Sequence, residues 1–172
     1  NCKIKMQGNA TKDIKGEIVK FEGESFYKIS NSDKMRPFFM SIVSDSNHWM
    51  FISSNGGLSA GRKNSESSLF PYYTDDKITE SADTTGSKTI FQIYKNGKTL
   101  IWEPFSIRQM GLYKTSRNLY KNSYGNKVVF EEINHDLGLT FRYQWNSSNQ
   151  FGFVKKSTII NNSGAKVNIT FL

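Results

Sequence analysis

The fold is decided by a run of fifteen residues near the middle of the chain, Lys88-Thr89-Ile90-Phe91-Gln92-Ile93-Tyr94-Lys95-Asn96-Gly97-Lys98-Thr99-Leu100-Ile101-Trp102. Alternating runs lie on both sides of Asn96-Gly97, and a period of two is typical of half-buried β-strands. Asn-Gly readily adopts the positive φ angles that a two-residue hairpin turn requires. The run therefore predicts two antiparallel strands joined by a tight turn.

The same alternation recurs along the whole chain, while no window of a dozen residues carries the apolar stripe of an amphipathic helix. About eleven strands of ordinary length suit a sandwich better than a small barrel, so we predict an all-β fold, an antiparallel β-sandwich. The predicted strands are Glu17 to Phe21, Ser25 to Ser30, Phe38 to Ser44, Trp49 to Ser54, Lys88 to Lys95, Thr99 to Trp102, Leu112 to Leu119, Lys127 to Ile133, Leu139 to Trp145, Phe151 to Ile160 and Lys166 to Phe171.

The long stretch from Gly56 to Gly86 differs from the rest of the chain. It is rich in Gly, Ser, Asn and Asp around the aromatic cluster Phe70-Pro71-Tyr72-Tyr73. A connection of this length in a compact domain is usually functional or mobile. We predict irregular structure here, with one short helix near Asp75 to Ser81.

Size and charge limit the classes of protein to consider. The chain has 172 residues, 37% of them hydrophobic and 14% aromatic, which suits one globular domain without a membrane span. The formal net charge is +8, but lysines spread singly along the chain supply most of it. A nucleic-acid surface usually concentrates its positive residues on one face, so no nucleic-acid partner is expected.

Metal and disulfide chemistry is not expected either. The single cysteine, Cys2, cannot form an internal disulfide, and two histidines do not suffice for a Cys/His zinc site. A cysteine beside Asn1 at the start of a chain would also suit a lipid-anchored export product. The compartment therefore stays open between cytoplasm and a periplasmic or lipid-anchored location.

No catalytic constellation emerges from the residue pattern. His48 precedes a strand and His135 lies in a turn, and neither belongs to a nucleophile motif. A glycosidase needs two carboxyl groups facing one sugar, whereas the adjacent Glu131 and Glu132 on one strand point to opposite faces. Asp75-Asp76 is typical of a turn or a helix start. We therefore assign no catalytic residue.

Aromatic side chains are the more suggestive feature. Flat rings with a polar neighbour can stack on the C–H faces of sugars, although most strand tryptophans are core residues. Both interpretations remain open for the candidates Trp49, Trp102, Trp145, Tyr72 and Tyr73.

Four segments, taken in order, resemble a known family: His48-Trp49-Met50-Phe51-Ile52-Ser53-Ser54-Asn55-Gly56-Gly57-Leu58-Ser59, Asp75-Asp76-Lys77-Ile78, Thr99-Leu100-Ile101-Trp102-Glu103-Pro104 and Ile159-Ile160-Asn161-Asn162-Ser163-Gly164. They are similar to elements of the N-terminal β-sandwich of the inverting disaccharide phosphorylases, the cellobiose and chitobiose phosphorylase family. Leu58 stands where the family has tyrosine, and Glu103 stands where serine is usual. The resemblance covers the chain from about Met35 onward.

This resemblance implies a supersandwich similar to galactose mutarotase, placed before a helical linker and an (α/α)6 barrel. In such enzymes the barrel supplies the general acid and the phosphate or water site, so the sandwich needs no cofactor and inorganic phosphate is a co-substrate of the full-length enzyme only. The implied partners are an oligosaccharide, the catalytic barrel of the same chain and a second copy in a homodimer. Residues 1–34 are expected to be N-terminal strands or an extension. Residues 35–172 are expected to form the sandwich domain, and its apolar last strand predicts that the domain is truncated at its C-terminal end.

Three hypotheses follow from these observations. The first is a non-catalytic sandwich domain of a larger enzyme acting on β-linked oligosaccharides. The second is a free-standing, lectin-like carbohydrate-binding module, and the third is a mutarotase-like enzyme that would need an acid and a base across one sugar. The residues expected to border a sugar flank the glycine turn, the long loop and the Trp-Glu-Pro element: Arg62, Tyr72, Tyr73, Trp102, His48 and Trp49.

Overall fold

The computed structural model describes residues 14–74, 77–86, 88–95 and 97–172. The sequence-based expectations for Cys2, for Asp75-Asp76 and for Asn96 concern residues outside these ranges.

The described residues form twelve strands, one short α-helix and two single-turn 3-10 helices, Ser32–Lys34 and Ser65–Ser67. The bounds are β1 (Lys15–Phe21), β2 (Glu24–Ser30), β3 (Phe39–Ile42), β4 (His48–Ser53), β5 (Leu58–Arg62), α1 (Lys77–Glu80), β6 (Phe91–Lys95), β7 (Lys98–Trp102), β8 (Thr115–Asn122), β9 (Lys127–Asn134), β10 (Leu139–Ser148), β11 (Gly152–Asn161) and β12 (Asn168–Phe171). The predicted all-β class is confirmed, and a short helix, α1, lies within the range in which one was predicted.

Two sequence-based boundaries need correction. Residues 58–62, expected to be irregular, form β5, which pairs with β4 from Ile52↔Leu58 to His48↔Arg62. The small residues Ala60 and Gly61 have little intrinsic strand preference, so the pairing with β4 decides their conformation. The strand expected from Leu112 starts at Thr115, because Met110 and Leu112 donate backbone hydrogen bonds within turns.

The strands form three antiparallel sheets that build a sandwich. The large sheet has the order β1-β2-β8-β9-β10-β11, and the two three-stranded sheets have the orders β3-β4-β5 and β12-β6-β7. One continuous core contains buried side chains of all three, such as Ile52 of β4, Ile93 of β6 and Val128 of β9, each with 0% exposure. Both small sheets therefore pack on the same face of the large sheet.

A second, smaller core lies on the other face of the large sheet. Phe26 of β2 is 2% exposed there and packs with Tyr120 and Val129, while Val19 and Phe21 of β1 cover the cluster. β2 also pairs with β8 from Phe26↔Asn122 to Ser30↔Asn118. Residues 15–30 thus form two strands of the large sheet.

The end of the β1–β2 hairpin reaches across this outer face. The guanidinium of Arg142 on β10 lies 5.2 Å from the Phe21 ring centroid, and Lys156 on β11 forms an ion pair with Glu22 in the hairpin turn. Contacts from β1 to β10 and β11 require a sheet that curls over its outer face. The hairpin is held by side chains as well as by its backbone pairing.

Strand β9 carries two buried carboxylates, Glu131 and Glu132, each 2% exposed. Glu131 faces the second core, where it accepts hydrogen bonds from Asn118 Nδ2 at 2.6 Å and Tyr120 OH at 2.9 Å and pairs with Arg142. Glu132 faces the main core. The predicted opposite orientation of the two side chains is confirmed.

The first prediction concerns the β1–β2 hairpin. Phe26→Ala removes a buried aromatic ring from the second core and should lower the free energy of unfolding by about 3–5 kcal/mol in urea denaturation. Tyr27→Ala, on the neighbouring residue that is 54% exposed, is the matched control and should change it far less. Equal stability of Phe26→Ala and wild type would show that the hairpin is a dispensable extension.

The second prediction concerns alkaline pH. Burial raises the pKa of the Tyr143 hydroxyl above its usual value, and burial together with the Glu131 charge does the same for Tyr120. Above about pH 10 the unfolded chain therefore releases tyrosine protons that the folded chain retains, so stability should fall as pH rises.

Urea denaturation between pH 9 and pH 11.5 measures this slope. The slope of the unfolding free energy against pH gives the number of protons released on unfolding, and Tyr143→Phe should reduce that number by close to one. Below pH 9 the variant and the wild type should have the same pH dependence. An unchanged slope above pH 10 in the variant would contradict the assignment.

Candidate functional site

The outer face of the β3-β4-β5 sheet carries four neighbouring aromatic rings. Met50 and Ile52 of β4 point into the main core, so the alternate residues Trp49 and Phe51 point outward. Phe39 of β3 lies 5.2 Å from Phe51, Trp49 lies 5.5 Å from Phe51, and Tyr72 lies 5.3 Å from Trp49, measured between ring centroids. Phe39, Phe51, Trp49 and Tyr72 are called the aromatic row below.

The aromatic row is open to solvent. Tyr72 is 48% exposed and Phe39 is 39% exposed, and Trp49 and Phe51 are partly exposed. Single exposed aromatic side chains are ordinary, but a contiguous exposed group of them is typical of a surface that binds a ligand or another protein.

The backbone of β5 fixes the orientation of Trp49. A Cβ atom on Gly61 would lie 2.4 Å from Trp49 Cζ2 and 2.7 Å from the carbonyl oxygen of Ser67, so only glycine fits beneath the indole. The indole Nε1 donates a hydrogen bond to the carbonyl oxygen of Asn64 at 3.3 Å. Trp49 therefore rests on β5 with a defined orientation before any ligand arrives.

Ser59 fixes the segment that carries Tyr72. This β5 residue is fully buried, its hydroxyl donates to the carbonyl oxygen of Pro71 at 2.9 Å, and it accepts from the backbone N–H of Tyr73 at 3.3 Å. The two bonds hold the residues on either side of Tyr72. Tyr73 itself is partly buried and supports the site through its backbone.

His48 and Arg62 lie away from the aromatic row. They form the first residue pair between β4 and β5 and, as neighbours of Trp49 and Gly61 in sequence, point to the opposite face of the sheet. His48 packs edge-on against Phe153 of β11 at 5.1 Å, and its Nδ1 lies 2.8 Å from Ser46 Oγ. The structure thus separates these two residues from Trp49 and Tyr72.

Trp102 is a core residue. Its side chain is 1% exposed, packs on Phe91 with 5.4 Å between ring centroids, and donates from Nε1 to Glu132 Oε1 at 2.8 Å. A ring enclosed in this way presents no stacking face to an oligosaccharide at the protein surface. Of the two interpretations open for Trp102 in the sequence, the structure supports the core interpretation.

Phe39 and Phe51 were not among the residues expected from the sequence to border a sugar. The signal for Phe51 was present, because residues two apart on a strand share a face and Trp49 was already a candidate. Phe39 comes from another strand, and only the register Phe39↔Ser53 and Ser41↔Phe51 places it beside Phe51.

No group of three or more His, Cys, Asp or Glu side chains within the described ranges is arranged to hold a metal ion. In that same part of the chain, no helix has the length and apolar character needed to span a membrane.

No protein-family model matches the chain, and no curated protein matches its sequence at a significant level. The side chains that the fold brings together therefore carry the functional interpretation.

The third prediction concerns the support of Tyr72. Ser59→Ala leaves the Pro71 carbonyl and the Tyr73 N–H without their partner, which should lower stability by about 1–3 kcal/mol and speed hydrogen exchange at the Tyr73 amide. Ser65→Ala, at an exposed serine, is the control. Identical exchange at Tyr73 in the two variants would show that Ser59 does not hold this segment.

Proposed function

We propose that this sandwich is a non-catalytic, carbohydrate-recognising domain of a larger carbohydrate-active enzyme, and that the aromatic row contacts an oligosaccharide. One observation carries the proposal: Trp49 and Tyr72 lie in contact on an exposed sheet face, with two further aromatic rings beside them. The resemblance to the sandwich of the inverting disaccharide phosphorylases, with its mutarotase-like supersandwich and β-linked substrates, supports the same interpretation.

The chemistry of the row suits a sugar. Hexose rings present apolar C–H faces that pack on flat aromatic surfaces, and the hydroxyl groups around them need polar neighbours. Asn64 and Ser41 lie at the two sides of the row, next to Trp49 and Phe51 respectively. Several rings in contact favour an extended oligosaccharide over a single sugar.

The fixed orientation of the rings favours binding. Gly61 and Ser59 hold Trp49 and the Tyr72 segment before a ligand is present. A ligand that stacks on ordered rings loses less conformational entropy on binding than one that must order them. Such a surface recognises a glycan without needing to change shape.

The buried carboxylates support a non-catalytic role. A glycosidase pair must flank one glycosidic bond, with about 5–10 Å between the two carboxyl groups and access to the substrate. Glu131 and Glu132 face opposite sides of the large sheet, and hydrogen-bond donors of the protein occupy both. This pair cannot act together on one sugar.

The two histidines do not form a mutarotase-like acid and base. His48 lies beside Gly152 at one end of β10, and His135 follows β9 at the other end. The ten residues of β10 separate these ends, a distance of about 30 Å. One sugar cannot bridge it.

The fourth prediction tests the aromatic row. Calorimetric titration with soluble β-linked glucan and chitin oligosaccharides should show saturable binding, which Trp49→Ala and Tyr72→Ala should weaken at least tenfold. Tyr94→Ala is the control, because Tyr94 lies on β6 of the other small sheet and has a similar exposure of 46%. Thermal unfolding of each variant verifies that the fold is intact.

The outcomes separate the hypotheses. Oligosaccharide binding by this chain alone supports recognition by the sandwich, in a free-standing module or within an enzyme. If the aromatic row instead packs on a catalytic barrel, this chain alone should bind no oligosaccharide. Trp49→Ala would then impair assembly of the full-length enzyme. Wild-type affinity in a folded Trp49→Ala variant would overturn the proposed role of the row.

A further inference from the structure

A cavity of about 350 Å³ lies inside one end of the sandwich, away from the aromatic row. Its floor is the inner face of the large sheet, with Arg117, Phe130, Glu132 and Tyr143. Its other walls are Trp102, the β7–β8 loop, residues 103–113, and the segments at residues 32–37, 54–56 and 82–85, with Lys88. None of the four residues of the aromatic row lines it. Its size falls at the lower end of the range for small-molecule sites, roughly 300–1,000 Å³.

Glu132 holds the loop that closes the cavity. Its carboxylate accepts hydrogen bonds from Trp102 Nε1 at 2.8 Å, from the backbone N–H of Phe105 at 2.7 Å and from Arg117 Nε at 2.7 Å. Phe105 adopts a left-handed backbone with φ of 64°, a conformation that a non-glycine residue keeps only when its surroundings impose it. The wall is therefore built by specific bonds and exists before a ligand enters.

Most charged groups around the cavity are paired, and the remaining carboxylate, Asp33, is exposed to solvent. Arg117 bonds Glu132, Arg108 Nη2 donates to Glu103 Oε1 at 2.8 Å, and Lys88 Nζ lies 3.1 Å from Asp83 Oδ1. Charges neutralised by each other attract neither an anion nor a cation strongly. The cavity thus favours a neutral ligand.

Tyr143 offers the cavity a polar group that the protein does not use. The hydroxyl makes no hydrogen bond to any residue in the described part of the chain, and Lys155 lies over the ring, 5.0 Å from its centroid, without reaching the oxygen as a donor. Gly56 stands opposite: a Cβ there would come within 3.2 Å of the hydroxyl. The Tyr143 side chain is 9% exposed and lines the cavity, so its hydroxyl can exchange a hydrogen bond to water for one to a ligand.

Further hydroxyl groups and apolar surface complete the lining. Ser54 Oγ accepts from the backbone N–H of Phe38 at 3.0 Å, which leaves its own hydrogen free to donate. Phe105 and Phe130 supply ring surface, with their centroids 6.3 Å apart in an edge-to-face arrangement. Hydroxyl donors beside aromatic walls match a molecule with hydroxyl groups on an apolar ring.

We propose that this cavity binds one neutral polyhydroxylated molecule of monosaccharide size, with the Tyr143 hydroxyl as its central hydrogen-bond partner. The site is separate from the aromatic row and does not depend on oligosaccharide binding there. A single sugar in this cavity would add to the stability of the loop that Glu132 holds.

The experiment titrates this chain with glucose, galactose, N-acetylglucosamine or myo-inositol. Binding is monitored by NMR chemical shifts. At least one probe should bind saturably, with shifts at the amides of residues 54–56 and 103–113. Tyr143→Phe removes only the hydroxyl oxygen and should weaken this binding at least tenfold, whereas Tyr94→Ala, outside both sites, should leave it unchanged.

Three results would overturn the proposal. They are the absence of saturable binding for every probe, wild-type affinity in Tyr143→Phe, and stronger binding of the charged analogues glucuronate or glucosamine than of the neutral sugars. If Tyr143→Phe does not fold, the location of the wild-type shifts decides alone, since shifts confined to residues 39–51 would place the sugar on the aromatic row. Failure at the cavity and failure at the row are therefore distinguishable.

Discussion

The hydrogen bonds to the Glu132 carboxylate are the interaction on which the rest of the structure depends. Glu132 belongs to the large sheet, Trp102 ends β7 of a small sheet, and Phe105 lies near the start of the loop between β7 and β8. One carboxylate thus joins the two layers and shapes the connection between them. A buried charge is tolerated only when donors surround it, so loss of any one donor would disturb both the layer packing and the cavity.

Strand β9 supports both cores through simple alternation. Phe130 and Glu132 face the main core, while Val129 and Glu131 face the second core under the β1–β2 hairpin. A register slip by one residue would exchange these faces and remove each carboxylate from its donors. The two adjacent glutamates therefore specify the register of the central strand as well as satisfying the polar groups around it.

The sequence predicted most of the fold and only part of the candidate sites. Alternation is a local signal, and it sufficed for eleven of the twelve strands in the described residues and for the sandwich class. The burial of Trp102 was not predictable, because it depends on Glu132, thirty residues away. The same holds for Tyr143, whose unused hydroxyl is visible only once Gly56 is placed opposite it.

The two proposed sites differ in what holds them, and this difference bears on function. The aromatic row is supported from β5 by Gly61 and Ser59, whereas the cavity is closed by the loop that Glu132 anchors. Both are ordered in advance by bonds within the protein, an arrangement that lowers the entropic cost of binding. Neither brings two unoccupied acidic or basic groups to one point, as a hydrolytic reaction requires. Preformed surfaces of this kind can bind a ligand without a change of shape.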